Sequence, residues 1–406
     1  MPPPVRLARR IRQVQPSATL AVDAKAKELQ AQGVNVISFG AGEPDFNTPQ
    51  HIVQAGVKAM TTGDTHYAAR RGKELKEAIC AKLQRENGLS YQPSQVLVSN
   101  GAKHTLYNLV QVLVEDGEEV IIPSPYWVSY LEMVRLAGGK PVILETSEAT
   151  GFKITPEQLE AALTPRTKLF IYNSPSNPTG AAYTPEETRA LAQVIEKHGL
   201  LTISDEIYEH LLYAEFPFLS LAACSPRLLR ELVLTVNGVS KTFAMTGWRI
   251  GYVAGPAAIV QAAATLQSHA TSDAASFSQA AAAEALVRLA ESAESARLMR
   301  AEFDRRRRFM HQRLNTLPGI KCLEPQGAFY CFPDISGLLG RTLAGKMMRS
   351  PMDFVSVCLE RAQVALVPGE AFGSARHVRL SYATSLENIE EGLNRLARLL
   401  GTGDAG

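Results

Sequence analysis

Cysteine is scarce and scattered. Five are present, Cys80, Cys224, Cys322, Cys331 and Cys358, and no two form a CxxC pair. An odd, dispersed set excludes a disulfide framework and a CxxC zinc site, and it reads as a reduced, cytoplasmic protein. No apolar run approaches the roughly 20 residues that a membrane-spanning helix requires. Neither sign of charge is in excess: 42 Lys and Arg against 40 Asp and Glu leave a formal +2, which argues against a nucleic-acid-binding surface. Repeats and low-complexity linkers are missing too. The opening MPPPVRLARRIRQVQ has four arginines and no acid, but it has no hydrophobic leader or cleavage signal and reads as a solvated arm. GTGDAG at 401–406 reads as a disordered tail. What the chain does have is apolar content, 46% of 406 residues, enough for more than one small domain.

The middle of the chain alternates strand and helix signals. VLVS at 96–99, EEVIIP at 118–123, KLFIYN at 168–173, LLTIS at 200–204 and LVLTVN at 232–237 read as short buried strands. Thr184-Pro185-Glu186-Glu187 forms a capping box with proline at the first helical position, and the helix it opens turns Leu191, Val194 and Ile195 inward. Such alternation predicts a mostly parallel sheet covered by helices on both faces, an α/β class. After about residue 285 a long charged helical stretch leads into mixed elements, which predicts a smaller α+β domain. The expected division is a large domain over 48–285 and a small domain formed by 1–47 and 286–406 with the N-terminal arm. The arginine run 305–308 is expected on a solvated helix face.

In open α/β sheets ligands gather beyond the carboxyl ends of strands, and the polar residues cluster at those ends here. Strand 96–99 runs into Asn100-Gly101-Ala102-Lys103 at a helix start, a turn that aims N–H groups at an anion and suits a phosphate. A turn that merely joins strand to helix looks the same. Strand 168–173 ends in the proline-rich Asn173-Ser174-Pro175-Ser176-Asn177-Pro178-Thr179-Gly180. Strand 200–204 ends in Asp205-Glu206-Ile207-Tyr208, where an acid could simply cap a helix. Strand 232–237 leads to Ser240-Lys241 and then Thr246-Gly247-Trp248-Arg249; a lone loop lysine is normally exposed. The ordered set, each member at a strand end, favours chemistry over coincidence.

With these residues in view the chain resembles the aspartate aminotransferase family of fold-type I pyridoxal-phosphate enzymes, in its prokaryotic-type subgroup. PSATLAV, GAGEPDF, NGAK, SPYWVSY, NSPSNPTG, SDEIYEHLLY, SKTFAMTGWRIGY, GAFY and HVRLSYA carry the likeness, in order, over roughly residues 15 to 395. The resemblance implies pyridoxal 5′-phosphate as cofactor, with Lys241 as its Schiff-base lysine and as the general base at the substrate Cα. Asp205 would pair with the pyridine nitrogen, while Tyr208 and Asn177 would hydrogen-bond the ring's phenolic oxygen. Trp127 would stack on the ring. The backbone of Gly101, Ala102 and Lys103, with Ser240 and Arg249, would hold the phosphate, joined by Tyr67 from a partner subunit, so the resemblance also implies a homodimer with shared sites. Arg379 would clamp the substrate α-carboxylate, assisted by Gly42 and Asn177. Lys103, Ser17 and Thr19 would face a distal carboxylate, although Lys103 could instead balance only the phosphate. No metal is implied.

These roles lead to an amino-transfer enzyme for L-aspartate and 2-oxoglutarate. Aromatic or prephenate transamination, or a carbon–sulfur lyase on the same fold, stays open. A cofactor-sensing transcription regulator would need a helix-turn-helix unit ahead of PSAT, and about 15 residues are too few. Departures from the family pattern fall at Tyr67-Ala68-Ala69-Arg70-Arg71, where relatives read Tyr-Thr-Pro, at Asn47, at Gln15-Pro16, which puts prephenate use in doubt, and at Ser272-Asp273-Ala274-Ala275.

Overall fold

The computed structural model describes residues 6–67 and 69–401, and for residues 18, 23, 69, 70 and 71 the backbone alone. Both ends of the chain and Ala68 therefore lie outside the described residues, as do the side chains of the altered loop after Tyr67. Seven strands form the principal sheet: β1 (Val96–Asn100), β2 (Glu119–Ser124), β3 (Lys140–Glu145), β4 (Thr167–Asn173), β5 (Thr202–Asp205), β6 (Val233–Gly238) and β7 (Ile250–Ala254). Their spatial order is β1-β7-β6-β5-β4-β2-β3. All pairings are parallel except those of β7, which runs against both β1 and β6. The five expected strands are present. The sequence reading missed β3, an edge strand whose residues are exposed or half-buried, and β7, which reverses the chain beside β1.

Apart from the edge strand β3, which has no buried residue, the strands are mostly buried because helices cover both faces. One face packs Ile79, Leu191, Ile195 and Ala281 against Phe170 and Tyr172. The other packs Leu106, Leu109, Val134 and Val260 against Leu169, Ile203 and Val253. Helix Pro185–His198 starts as the capping box required: Thr184 Oγ1 accepts from the Glu187 N–H at 3.2 Å, and Glu187 Oε2 accepts from the Thr184 N–H at 2.8 Å. A further core lies around a three-stranded antiparallel sheet of β8 (Tyr330–Cys331), β9 (Val367–Pro368) and β10 (Val378–Ser381), in the order β9-β10-β8.

The 26-residue helix Leu289–Leu314 corrects one expectation. Only Arg305 and Arg308 of the arginine run are exposed; Arg306 and Arg307 are buried. Met299, Phe303, Met310 and Leu314 make an inward stripe at helical spacing, and residues 306 and 307 fall within it. Arg306 forms a forked pair with Asp45 at 2.8 and 2.9 Å and lies over Phe46 and Phe303. Arg307 binds Glu324 at 2.7 Å and the Pro325 carbonyl at 2.9 Å. Partners distant in sequence satisfy both charges, so burial is tolerated.

The reversed β7 places Gly251 directly under the turn that follows β1. A Cβ there would lie 2.1 Å from the Ala102 nitrogen and 2.4 Å from the Gly101 carbonyl carbon, whereas a Cβ on Gly247 meets nothing within 4 Å. Gly251→Ala should therefore cost about 1–3 kcal/mol through overpacking, read as a lowered thermal midpoint, with Gly247→Ala near wild type. Equal midpoints would show that the turn yields freely.

Candidate active site

The carboxyl ends of β1, β4, β5 and β6 and the start of β7 meet at one edge of the sheet, because β7 is antiparallel: Asn100 pairs with Ile250, and Gly238 with Gly251. Arg249, just before β7, thus reaches the same edge as residues that follow parallel strands. A cavity of about 420 Å³ opens there, walled by Thr19, Gly42, Ala102, Lys103, Trp127, Asn177, Asp205, Tyr208, Ser240, Lys241, Arg249 and Arg379. Twelve of the expected site residues are therefore gathered in one place from segments far apart in sequence. Gly101 stands just behind the wall, and Ser17 touches it through Thr19, the two hydroxyl oxygens 2.9 Å apart. Tyr67 is not part of this wall; it is 89% exposed.

At one end of the cavity, helix Ala102–Leu113 follows Gly101, which has φ +84. A Cβ on Gly101 would come within 2.4 Å of Arg249 Nη2, so only glycine lets the guanidinium lie against the helix start. Arg249 is steadied by the Thr246 carbonyl at 2.9 Å and the Asn100 carbonyl at 3.3 Å. Helix N–H groups, the Arg249 guanidinium and the buried Ser240 hydroxyl make a donor-rich pocket for an anion.

Lys241 is half-buried and donates from Nζ to the Gly42 carbonyl. Burial is the main force that lowers its pKa from 10.5 to about 8; Glu43 pulls it upward, while Arg249, Arg379 and Lys103 push it down. Asp205 is buried, and burial raises its carboxyl from 3.8 to about 6. The Tyr130 hydroxyl, donating to Oδ2 at 2.6 Å, and the Ile207 N–H, at 3.3 Å from Oδ1, oppose that rise. Across the cavity the Tyr208 and Tyr330 hydroxyl oxygens lie 3.0 Å apart. Trp127 meets the Tyr130 ring edge to face at 5.2 Å, and Lys103 Nζ stands 5.0 Å from the Trp127 ring centre.

Arg379 is 2% exposed and packed against the rings of Tyr330 and Phe372. It donates to Asn177 Oδ1 at 3.0 Å and to the Gly40 carbonyl at 2.9 Å, while its Nε has no partner among the described residues. An unpaired buried donor on a guanidinium fits a carboxylate partner. Sequence reasoning passed over Tyr130, Tyr330, Glu43 and Thr246, all of which line the cavity. Tyr130 was detectable: it lies one helical turn from Trp127 in SPYWVSY. Glu43, which accepts from Thr246 Oγ1 at 2.7 Å, had no comparable signal.

Residues 34–396 match the family Aminotransferase class I and II. The aspartate aminotransferase of Geobacillus stearothermophilus is 51% identical over 397 residues, covering 98% of this chain and 99% of that protein. The aspartate/prephenate aminotransferase of Cereibacter sphaeroides is 50% identical over 386 residues, covering 94% and 96%. Among solved structures, aspartate aminotransferase from Thermus thermophilus with maleate superposes with a TM-score of 0.91 at 44% identity, covering 98% of this chain and all of that one.

The lowered pKa of Lys241 is open to test without a cofactor. Its neutral amine is the form that attacks an aldehyde, so reductive trapping of a small aldehyde at Lys241, quantified by peptide mass, should rise with pH through a midpoint at about 8 and then level off. A rise that continues to the ordinary lysine range would contradict the burial argument.

Proposed function

Because the chain belongs to the class I and II aminotransferase family, we propose that it transfers the amino group of L-aspartate to 2-oxoglutarate by a ping-pong route, with pyridoxal 5′-phosphate as cofactor. The donor set fits that group. Ala102, Lys103, Ser240 and Arg249, with Gly101 behind them, would hold the phosphate, Asp205 would offer an acceptor to the ring nitrogen, and Tyr208 and Asn177, which line the same cavity, would hold the phenolic oxygen. When bound, the cofactor supplies an electron sink and carries the amino group between the two half-reactions.

The remaining chemistry falls to the chain's own side chains. The Lys241 amine, mostly neutral above about pH 8, takes the proton from Cα of the amino donor in the first half-reaction and delivers one to Cα of the oxo acid in the second. Asp205 stays ionised beside a cation, since an opposite charge counters the burial that lifts its pKa. Arg379 and Asn177 orient the α-carboxylate, Trp127 closes one face, and Lys103 with Thr19 and Ser17 meets the distal carboxylate. A two-carboxylate substrate is supported chiefly by the excess of cations, with Lys103, Lys241, Arg249 and Arg379 set against Glu43 and Asp205. Maleate, named with the Thermus structure, is likewise a dicarboxylate.

We further propose that residues 48–285 form the large domain, with 1–47 and 286–406 as the small one, and that the protein is a cytoplasmic homodimer in which the exposed Tyr67 completes the partner's phosphate pocket. No described helix is long and apolar enough to cross a membrane. Prephenate is a second substrate reading, favoured by the name of the Cereibacter relative.

Steady-state kinetics with aspartate and 2-oxoglutarate should give the parallel double-reciprocal lines of a ping-pong enzyme. Lys241→Ala should abolish turnover yet bind the cofactor noncovalently. Lys103→Ala should raise KM for aspartate by about tenfold, the worth of one charge-assisted hydrogen bond. Negligible turnover of aspartate beside rapid turnover of aromatic amino acids would overturn the substrate reading and spare the amino-transfer one.

A further inference from the structure

Directly behind the active-site edge lies a second set of buried polar side chains that no step above uses. Lys82 ends helix Ala69–Lys82 and is 2% exposed. Its Nζ pairs with Glu209 Oε1 and donates to Asn87 Oδ1 at 2.8 Å. Glu209, 8% exposed, also accepts from Asn87 Nδ2 and from Asn237 Nδ2, each at 2.7 Å. Asn237 is the penultimate residue of β6, and its Oδ1 accepts from the Gly238 N–H at 2.7 Å. His210 extends the set: one ring nitrogen lies 3.1 Å from Glu86 Oε2, the other 3.3 Å from the Thr242 hydroxyl.

The placement matters because several members lie beside active-site residues in the chain. Glu209 follows Tyr208 in the turn that begins at Asp205. Thr242 follows Lys241, and Asn237 opens the segment leading to it. The cluster therefore ties together three separate stretches: the end of a surface helix, the turn bearing Asp205 and Tyr208, and the segment bearing Ser240 and Lys241. A buried ion pair is a costly way to gain stability, since apolar residues of similar volume often serve as well or better. It does fix geometry, because directional bonds to a charged centre tolerate little displacement.

We propose that Lys82 and Glu209 are positioning residues, a buried strut whose branches through Asn87, Asn237 and His210 hold the Asp205–Tyr208 turn in register with the Lys241 segment. The inference rests on the pyridoxal-phosphate reading above. It adds to that reading two residues that contact neither substrate nor cofactor.

The test uses the cofactor-loaded enzyme and the double variant Lys82→Met/Glu209→Leu, which replaces both charges by apolar side chains. Four quantities are read: thermal midpoint, Kd of pyridoxal phosphate for the apo-protein, the pH at which the visible band of the bound cofactor titrates, and kcat with KM. A positioning role predicts that the folded variant binds cofactor about tenfold more weakly. It also predicts kcat lowered by about tenfold or more with KM changed less than about threefold, and a displaced band titration. A folded variant whose Kd, kcat and band titration match wild type would overturn the proposal, whatever its thermal midpoint. Should the double variant not fold, Asn87→Ala, which removes one branch and its two hydrogen bonds from a partly exposed position, is read the same way. A displaced band with reduced kcat supports the strut, and wild-type values overturn it. If wild type itself shows no visible band with pyridoxal phosphate, the functional reading fails and this proposal with it, a result distinct from any difference between variants.

Discussion

Crowding of positive charge at one edge of the sheet governs this structure. Lys103, Lys241, Arg249 and Arg379 share a cavity with only Glu43 and Asp205 to oppose them. Like charges at such range raise each other's cost of ionisation, and the lowered pKa of Lys241 registers three of these neighbours. A cavity with that imbalance is most stable when anions enter it. It has three places suited to them: the helix start beside Arg249, the guanidinium of Arg379, and the region before Lys103. Burial is the larger cause of the depressed pKa of Lys241, and the same cations add to it, leaving a usable fraction of neutral amine. The charges that favour anions in the cavity thus also reinforce the effect of burial on the lysine.

The arrangement depends on topology. Parallel strands bring their carboxyl ends to one edge, so Asn100, Asn173, Asp205 and Gly238 converge however long the helices between them. Strand β7 is the exception that completes the set, for its reversal delivers Arg249 at its beginning rather than its end. Glycine permits the close approaches involved. Gly251 leaves room for the Gly101–Ala102 turn, and Gly101 leaves room for the arginine.

Much of this was legible in the sequence because its signals are local. Strands of four to seven residues end in polar turns, the capping box at Thr184 fixes a helix start, and Ser240-Lys241 and Asn100-Gly101-Ala102-Lys103 each sit just past a strand. Long-range pairing was not legible. Nothing near Arg306 announces Asp45, so the arginine run looked solvated when half of it is buried. Tyr130 is paired with Asp205 across 75 positions, and Lys82 with Glu209 across 127. A charged residue in a helical pattern reads as surface until its partner is known, and the partner is known only from the fold. The direction of β7 was hidden for a related reason, since a buried strand of five residues carries no mark of which way it runs.

The central claim is that this cavity carries out amino transfer from a dicarboxylic amino acid through Lys241. A single-turnover experiment tests it most directly: the cofactor-loaded enzyme is mixed with aspartate alone, without any oxo acid, and the absorbance of the bound cofactor is followed. The account predicts conversion of the aldehyde form to the amine form, one equivalent per chain, with oxaloacetate released in the same amount. No spectral change, or release of ammonia in place of conversion, would contradict it.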